Sequence, residues 1–226
     1  MPQLYNDGTL YNYNEFNRFP NLDGVEYKMV NELLHNPSQY AENIWKLIGY
    51  TTPDALVRDN LTLQQKATLI CDENDTLETG KRVFITPYIN DAWTDQSAHL
   101  HIYVDALHSP NYVLSNVHVC IETIVHAKVG TILSDVDEPH GNPNDSGADG
   151  IPIVLRKSRA TCLLKNVIAL FNGMSLDGVG QLQFNQSVDP YCVSTPFTWN
   201  SKAYFGHVTR MVIKMSGVSS TPEFGF

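Results

Sequence analysis

Three groups of residues carry types and spacings that could do chemistry. His99-x-His101 is the first. In a strand, period 2 puts both imidazoles on one face, about 7 Å apart, a separation that suits metal ligation. His118, Glu122 and His126 occupy a second alternating run and would complete such a site from a paired strand. A metal-dependent β-barrel enzyme would use this set; the same residues also suit the polar or interface-facing side of a sheet. The second group is acidic: Asp135-x-Asp137-Glu138, then Asp145 and Asp149. Calcium loops need oxygens at tight, regular intervals around a turn glycine, and this spacing fits no EF-hand. The third group is basic, Arg156-Lys157-Ser158-Arg159, at the start of a helical pattern. Cations there oppose the helix dipole. The expectation is therefore a carboxylate partner, from the acidic loop or from a neighbouring chain.

Nucleophile and phosphate motifs are missing. There is no G-x-S-x-G, no Walker-type loop and no G-x-G-x-x-G. Gly173 to Gly180 is glycine-rich but follows a helix instead of preceding one. Cys71, Cys120, Cys162 and Cys192 are irregularly spaced, with no CxxC, and read as reduced, mostly buried thiols. The expectation is a protein without catalytic residues, cofactor or metal.

Periodicity shows which elements must position these groups. Leu4 to Gly24 holds Tyr5, Tyr11, Tyr13, Phe16 and Phe19 with no persistent period. We read residues 1–26 as an extended N-terminal arm whose aromatics seek burial on a neighbour. Residues 27–226 are expected to form one domain. Tyr27 to His35 is helical. Asn36-Pro37 looks like an N-cap with proline at the first helical position, ahead of a helix ending at Gly49. Thr62 and Gln65 resemble a capping box. The period then changes to 2. Val83 to Ile85 is a short apolar run. Leu100, Ile102 and Val104 alternate with His99, His101 and Tyr103, and Val117, Val119 and Ile121 alternate with His118, Cys120 and Glu122. Such alternation marks half-buried antiparallel strands with one face to the core. Residues 128–157 form a long loop. A helix over 158–172 carries Leu163, Leu164, Val167, Ile168 and Phe171 on one face, with Gly173 as its left-handed stop. Strands near Leu182 and Val208 to Ile213 close the chain. The order predicts an α+β fold: an antiparallel or mixed sheet, helices packed on one face, a long loop and an extended arm.

The chain has 226 residues and a formal net charge of −9, with 42% hydrophobic and 17% charged residues. It is too apolar for disorder and too acidic to wrap nucleic acid. No run of residues is long and apolar enough for a membrane span, and residues 1–7 lack the basic and apolar regions expected of a signal peptide. A cytosolic site of synthesis is expected.

One stretch is more informative than any motif. A strand ending Ile124-Val125-His126 runs into the long loop. The helix Leu163 to Phe171 follows, then Asn172-Gly173, then Gly178-Val179-Gly180-Gln-Leu182-Gln-Phe184, and a strand through Phe205-Gly206-His207-Val208. With Ile44 to Tyr50 and Lys81 to Pro87, this order resembles the neck and tail-completion proteins of tailed bacteriophages, including tail terminators. The resemblance implies a structural subunit in a six- or twelvefold ring at the head-to-tail junction. Portal or adaptor and tail proteins would be its neighbours, and genomic DNA would pass through without sequence-specific binding. The resemblance does not extend to the arm or to the length of the loop; from their aromatic and charged residues alone, the subunit interface is expected at Tyr5, Tyr11, Tyr13, Phe16, Phe19, Asp135, Asp137, Glu138, Arg156, Lys157 and Arg159. A ligand-binding module using Trp93 and Trp199 is a further reading of the same chain.

Overall fold

The computed structural model describes residues 24–71, 80–87, 95–108, 114–133, 156–199 and 203–216. The aromatic arm, the acidic loop residues Asp135, Asp137 and Glu138, and Trp93 lie outside the described residues.

The fold is α+β. Helices α1 (Val25–His35), α2 (Gln39–Gly49) and α3 (Leu63–Thr68) come first. They are followed by β1 (Val83–Phe84), β2 (Ala98–His108), β3 (Leu114–His126), β4 (Thr131–Leu133) and β5 (Arg156–Ser158). Helix α4 (Arg159–Phe171) leads to β6 (Ser175–Leu176), β7 (Gly180–Gln183), β8 (Ser194–Trp199) and β9 (Tyr204–Ser216). The main sheet runs β1-β2-β3-β9-β7-β6, with β8 also paired to β9. It is mixed, because β1 runs parallel to β2 while the other pairs are antiparallel. The parallel step follows from the chain path: β1 precedes β2 through a connection of more than ten residues, which is what a parallel pair requires.

Local signals explain most of the boundaries. Thr62 and Gln65 form a complete capping box on α3. For α2 the cap is Ser38 and not Asn36: the Ser38 hydroxyl accepts the Ala41 N–H, while Asn36 accepts the Ser38 N–H one turn earlier. Asn36-Pro37 is thus the approach to the helix, folded as an Asx turn. Gly173 has φ +87°, the left-handed stop expected past α4. The stretch expected as a loop over 128–157 is shorter at both ends. Thr131 to Leu133 pairs with Arg156 to Ser158 as a separate two-stranded ribbon. Strand β8 carries no alternating apolar pattern beyond the short Phe197-Thr198-Trp199; Ser194, Thr195, Pro196 and Thr198 are mostly exposed, and Pro196 suits the sheet edge it occupies.

The core lies between one sheet face and the helices. Leu100, Ile102, Val117, Val119, Ile121, Met211 and Ile213 point inward and meet Met29, Leu33, Ile44, Trp45, Leu163, Val167 and Phe171, all fully buried. Ile168 and Val104 are half-buried at the margin of this contact, whereas Leu164 is half-buried without packing against this core. Trp45 donates its indole N–H to the Leu33 carbonyl at 2.9 Å, so the largest core side chain leaves no buried donor unmet.

Two glycines separate strain from crowding. A Cβ at Gly206 in β9 would overlap the carbonyl oxygen of Thr123 in β3, while one at Gly173 would meet nothing within 4 Å. Gly206→Ala should therefore cost about 3 kcal/mol or more through forced separation of β3 and β9. Gly173→Ala should cost about 1–2 kcal/mol from its left-handed backbone alone. Urea unfolding of the two variants should give this order.

Candidate functional site

The basic stretch divides into two environments. Arg156 and Lys157 lie on β5 with exposed side chains, before the helix and not within its first turn. Arg159, the first residue of α4, is fully buried. The carboxylate expected for it is replaced by main-chain carbonyls. Its Nε donates to Val129 O at 2.7 Å, Nη1 to Leu47 O and Tyr50 O at 2.6 Å, and Nη2 to Thr52 O at 2.8 Å. Leu47 and Tyr50 stand at the C-terminal end of α2, where the helix dipole is negative, so the cation is stabilised without a counter-ion. Burial pulls its pKa down to about 10, which leaves it charged at neutral pH. Arg159 is thus an internal staple and has no side-chain surface for another subunit.

The histidines are also placed differently from the solvated face expected for them. His99 and His101 do point away from Leu100 and Ile102, but both are buried. A second small cluster of Phe84, Ile124 and Tyr204 covers this end of the outer face, and the Phe84 ring lies 4.9 Å from that of His101. His101 donates Nδ1–H to Thr86 O at 3.1 Å, and His99 Nε2 meets Ser97 Oγ at 2.8 Å. Burial holds His99 well below its ordinary pKa and His101 down at about 4, so both are neutral at pH 7. The metal set does not converge. Glu122 lies across from His101 but accepts from Tyr103; His118 sits farther along β3 and donates Nε2–H to Asp189 at 3.0 Å. Among the described residues no three His, Cys, Asp or Glu side chains group to hold an ion.

Farther along this face lies a polar strip of which the sequence pointed only to Glu122, and that as a metal ligand. It is built by β2, β3 and β9. Tyr103 pairs across the sheet with Cys120, and Cys120 with Arg210. Tyr103 donates its hydroxyl to Glu122 Oε1 at 2.8 Å, and Arg210 Nε donates to Asp105 Oδ2 at 2.6 Å. A bulge between Val104 and Ala106 sets Asp105 out of the regular alternation and allows that contact. Burial first, and the nearby Asp105 charge, raise the pKa of Glu122. Burial pushes the Cys120 thiol up to about 11, so it is a packed thiol and not a nucleophile. Farther along the same face, Asn116, His118 and the Tyr191 N–H all bond to Asp189, and this ties the 185–192 turn down. The alternation of polar residues in β2 and β3 was the visible signal for this face. The contribution of Arg210 and the bulge at Asp105 was not visible.

The architecture is that of an α+β domain in which the buried Arg159 and the buried imidazoles bond to the chain's own elements. The chain belongs to the YomW family, whose model matches residues 41–209, from α2 into β9. That family is phage-derived, of the SPbeta type, and the chain is accordingly phage-associated. No curated protein and no solved structure matches it. No helix among the described residues is long and apolar enough to cross a membrane.

Two outcomes follow from this geometry. Arg159→Lys keeps the charge but cannot serve four carbonyls, and should lower stability by about 3 kcal/mol in urea titrations. The histidines make stability depend on pH. An unfolded histidine binds a proton near 6.5, whereas folded His101 does so only near 4. Between these values the unfolded chain holds more protons, so stability must fall as pH falls. The slope should approach about 1.4 kcal/mol per pH unit for each such histidine. Unfolding at pH 7, 5.5 and 4.5 should show the decline, and the His99→Gln, His101→Gln double variant should flatten it.

Proposed function

We propose that this chain is a structural virion subunit that forms a ring at the head-to-tail junction, in a neck or tail-completion role of the tail-terminator kind. The observation that carries the reading is membership of a phage-derived family. The disposition of its reactive side chains supports it. His99 and His101 are buried and neutral, the Cys120 thiol is held protonated, and Arg159 is given to main-chain carbonyls. These groups stabilise a scaffold and are not aimed at a substrate. The two faces of the sheet also differ, one covered by helices and the other carrying a polar strip. A subunit with unlike faces suits heterologous contacts that close into a ring. In this reading the ring is six- or twelvefold, meets portal or adaptor proteins on one side and tail proteins on the other, and lets DNA pass without reading it.

The aromatic arm is the natural tether. Residues 2–19 hold Tyr5, Tyr11, Tyr13, Phe16 and Phe19, and precede α1 without belonging to it. A segment held by several neighbours at once needs only weak individual contacts, because its effective concentration is high. The chain without residues 2–19 should keep its circular-dichroism spectrum and melting temperature but fail to enter particles. Electron microscopy of purified full-length protein should show closed rings. A protein that stays monomeric at high concentration, or a truncated chain that assembles normally, would overturn the reading.

A further inference from the structure

We propose that the outer-face strip of Tyr103, Asp105 and Glu122 receives the exposed basic strand β5, through Arg156 and Lys157, of a second copy of this chain. The inference rests on the ring reading above and names the two surfaces that would meet.

The patches lie on different layers. The strip is on the sheet face opposite the helices, among β2, β3 and β9. Strand β5 runs directly into α4, which packs on the inner face. A contact between two unlike patches repeats from subunit to subunit instead of closing as a pair, which is the requirement for a ring.

The charges are complementary. The strip holds two carboxylates, and Arg210 is engaged with Asp105 at 2.6 Å. Glu122 has a hydroxyl donor, Tyr103, and no cation among the described residues within ion-pair distance. One negative charge is therefore in excess on a half-buried surface. Burial first, and then the Asp105 charge, raise the pKa of Glu122, and a guanidinium brought alongside would favour its charged form. Val208, opposite Glu122 on β9, is half-buried and adds an apolar margin. Arg156 and Lys157 are adjacent and exposed on a strand whose partner β4 fixes its backbone. An arginine fork suits a carboxylate that still has an oxygen to offer. In a chain with a formal net charge of −9, copies repel one another unless such a basic surface finds an acidic one.

The test uses the purified full chain, followed by mass photometry and light scattering across concentration and at low and high salt. Arg156→Glu with Lys157→Glu should raise the concentration for half-assembly by about tenfold or more. Glu122→Gln should do the same; it keeps the acceptor for Tyr103, so its melting temperature should stay near that of the parent. Glu122→Lys combined with Arg156→Glu should recover part of the assembly that either change alone removes. Wild-type assembly should weaken with salt. Rings that form equally well with Arg156→Glu/Lys157→Glu and with Glu122→Gln overturn this inference and leave the ring reading standing. A wild-type chain that never assembles overturns both.

Discussion

The placement of the helical layer depends on a buried guanidinium. Arg159 joins four separate pieces of backbone: the last turn of α2, the residues just after it, the turn before β4, and its own helix. None of these is adjacent to Arg159 in the chain except α4 itself. Helices packed only by apolar contact can slide over a sheet at little cost, since dispersion is non-directional. Four directed hydrogen bonds from one rigid plane remove that freedom. Desolvating a cation is costly, and the carbonyls at the negative end of α2 offset it. The basic stretch thus contributes differently at each position: Arg159 works inward as a staple, and Arg156 and Lys157 face outward.

The sheet shows a similar division of labour. Its inner face is mostly apolar, with Thr123 and Thr209 as fully buried polar exceptions. Its outer face is closed at one end by Phe84, Ile124 and Tyr204 and at the other by the turn anchored on Asp189, with the polar strip between them. Closing both ends fixes the strands in register, because a slip by one residue would drive His99 and His101 into the main core. The strip is consequently held on a stiff support, and its half-buried carboxylate does not need to organise its own surroundings.

Much of this was legible in the sequence, and the failures have a common cause. The alternation in β2 and β3, the apolar stripe of α4, the capping box at Thr62 and the stop at Gly173 are local patterns, and each corresponds to an observed element. What could not be read depends on residues far apart. Nothing near His99 announces that Phe84 and Tyr204 will cover it. Nothing near Arg159 announces carbonyls from residues 47, 50 and 52. Strand β8 reads Ser-Thr-Pro-Phe-Thr-Trp, and its strand signal is limited to the short Phe197-Thr198-Trp199 alternation behind a proline, so its pairing with the edge of β9 was not legible. The parallel pairing of β1 is equally non-local: a two-residue strand has no period, and only the partner decides its direction.

The strand order has a consequence for how the protein is made. β9 lies at the centre of the main sheet, between β3 and β7, yet it spans residues 204–216. During synthesis, β3 waits with one edge open while some eighty further residues, between His126 and Tyr204, leave the ribosome. The sheet closes only when that late strand inserts, a step dominated by contacts between distant parts of the chain and therefore slow. Until then the inner apolar face and the edge of β3 are both accessible to other nascent chains. Chains cut short before β9 would lack the strand on which β7 and β8 dock. Completion of the fold thus acts as a quality check: only a chain that includes β9 has both faces of its sheet complete.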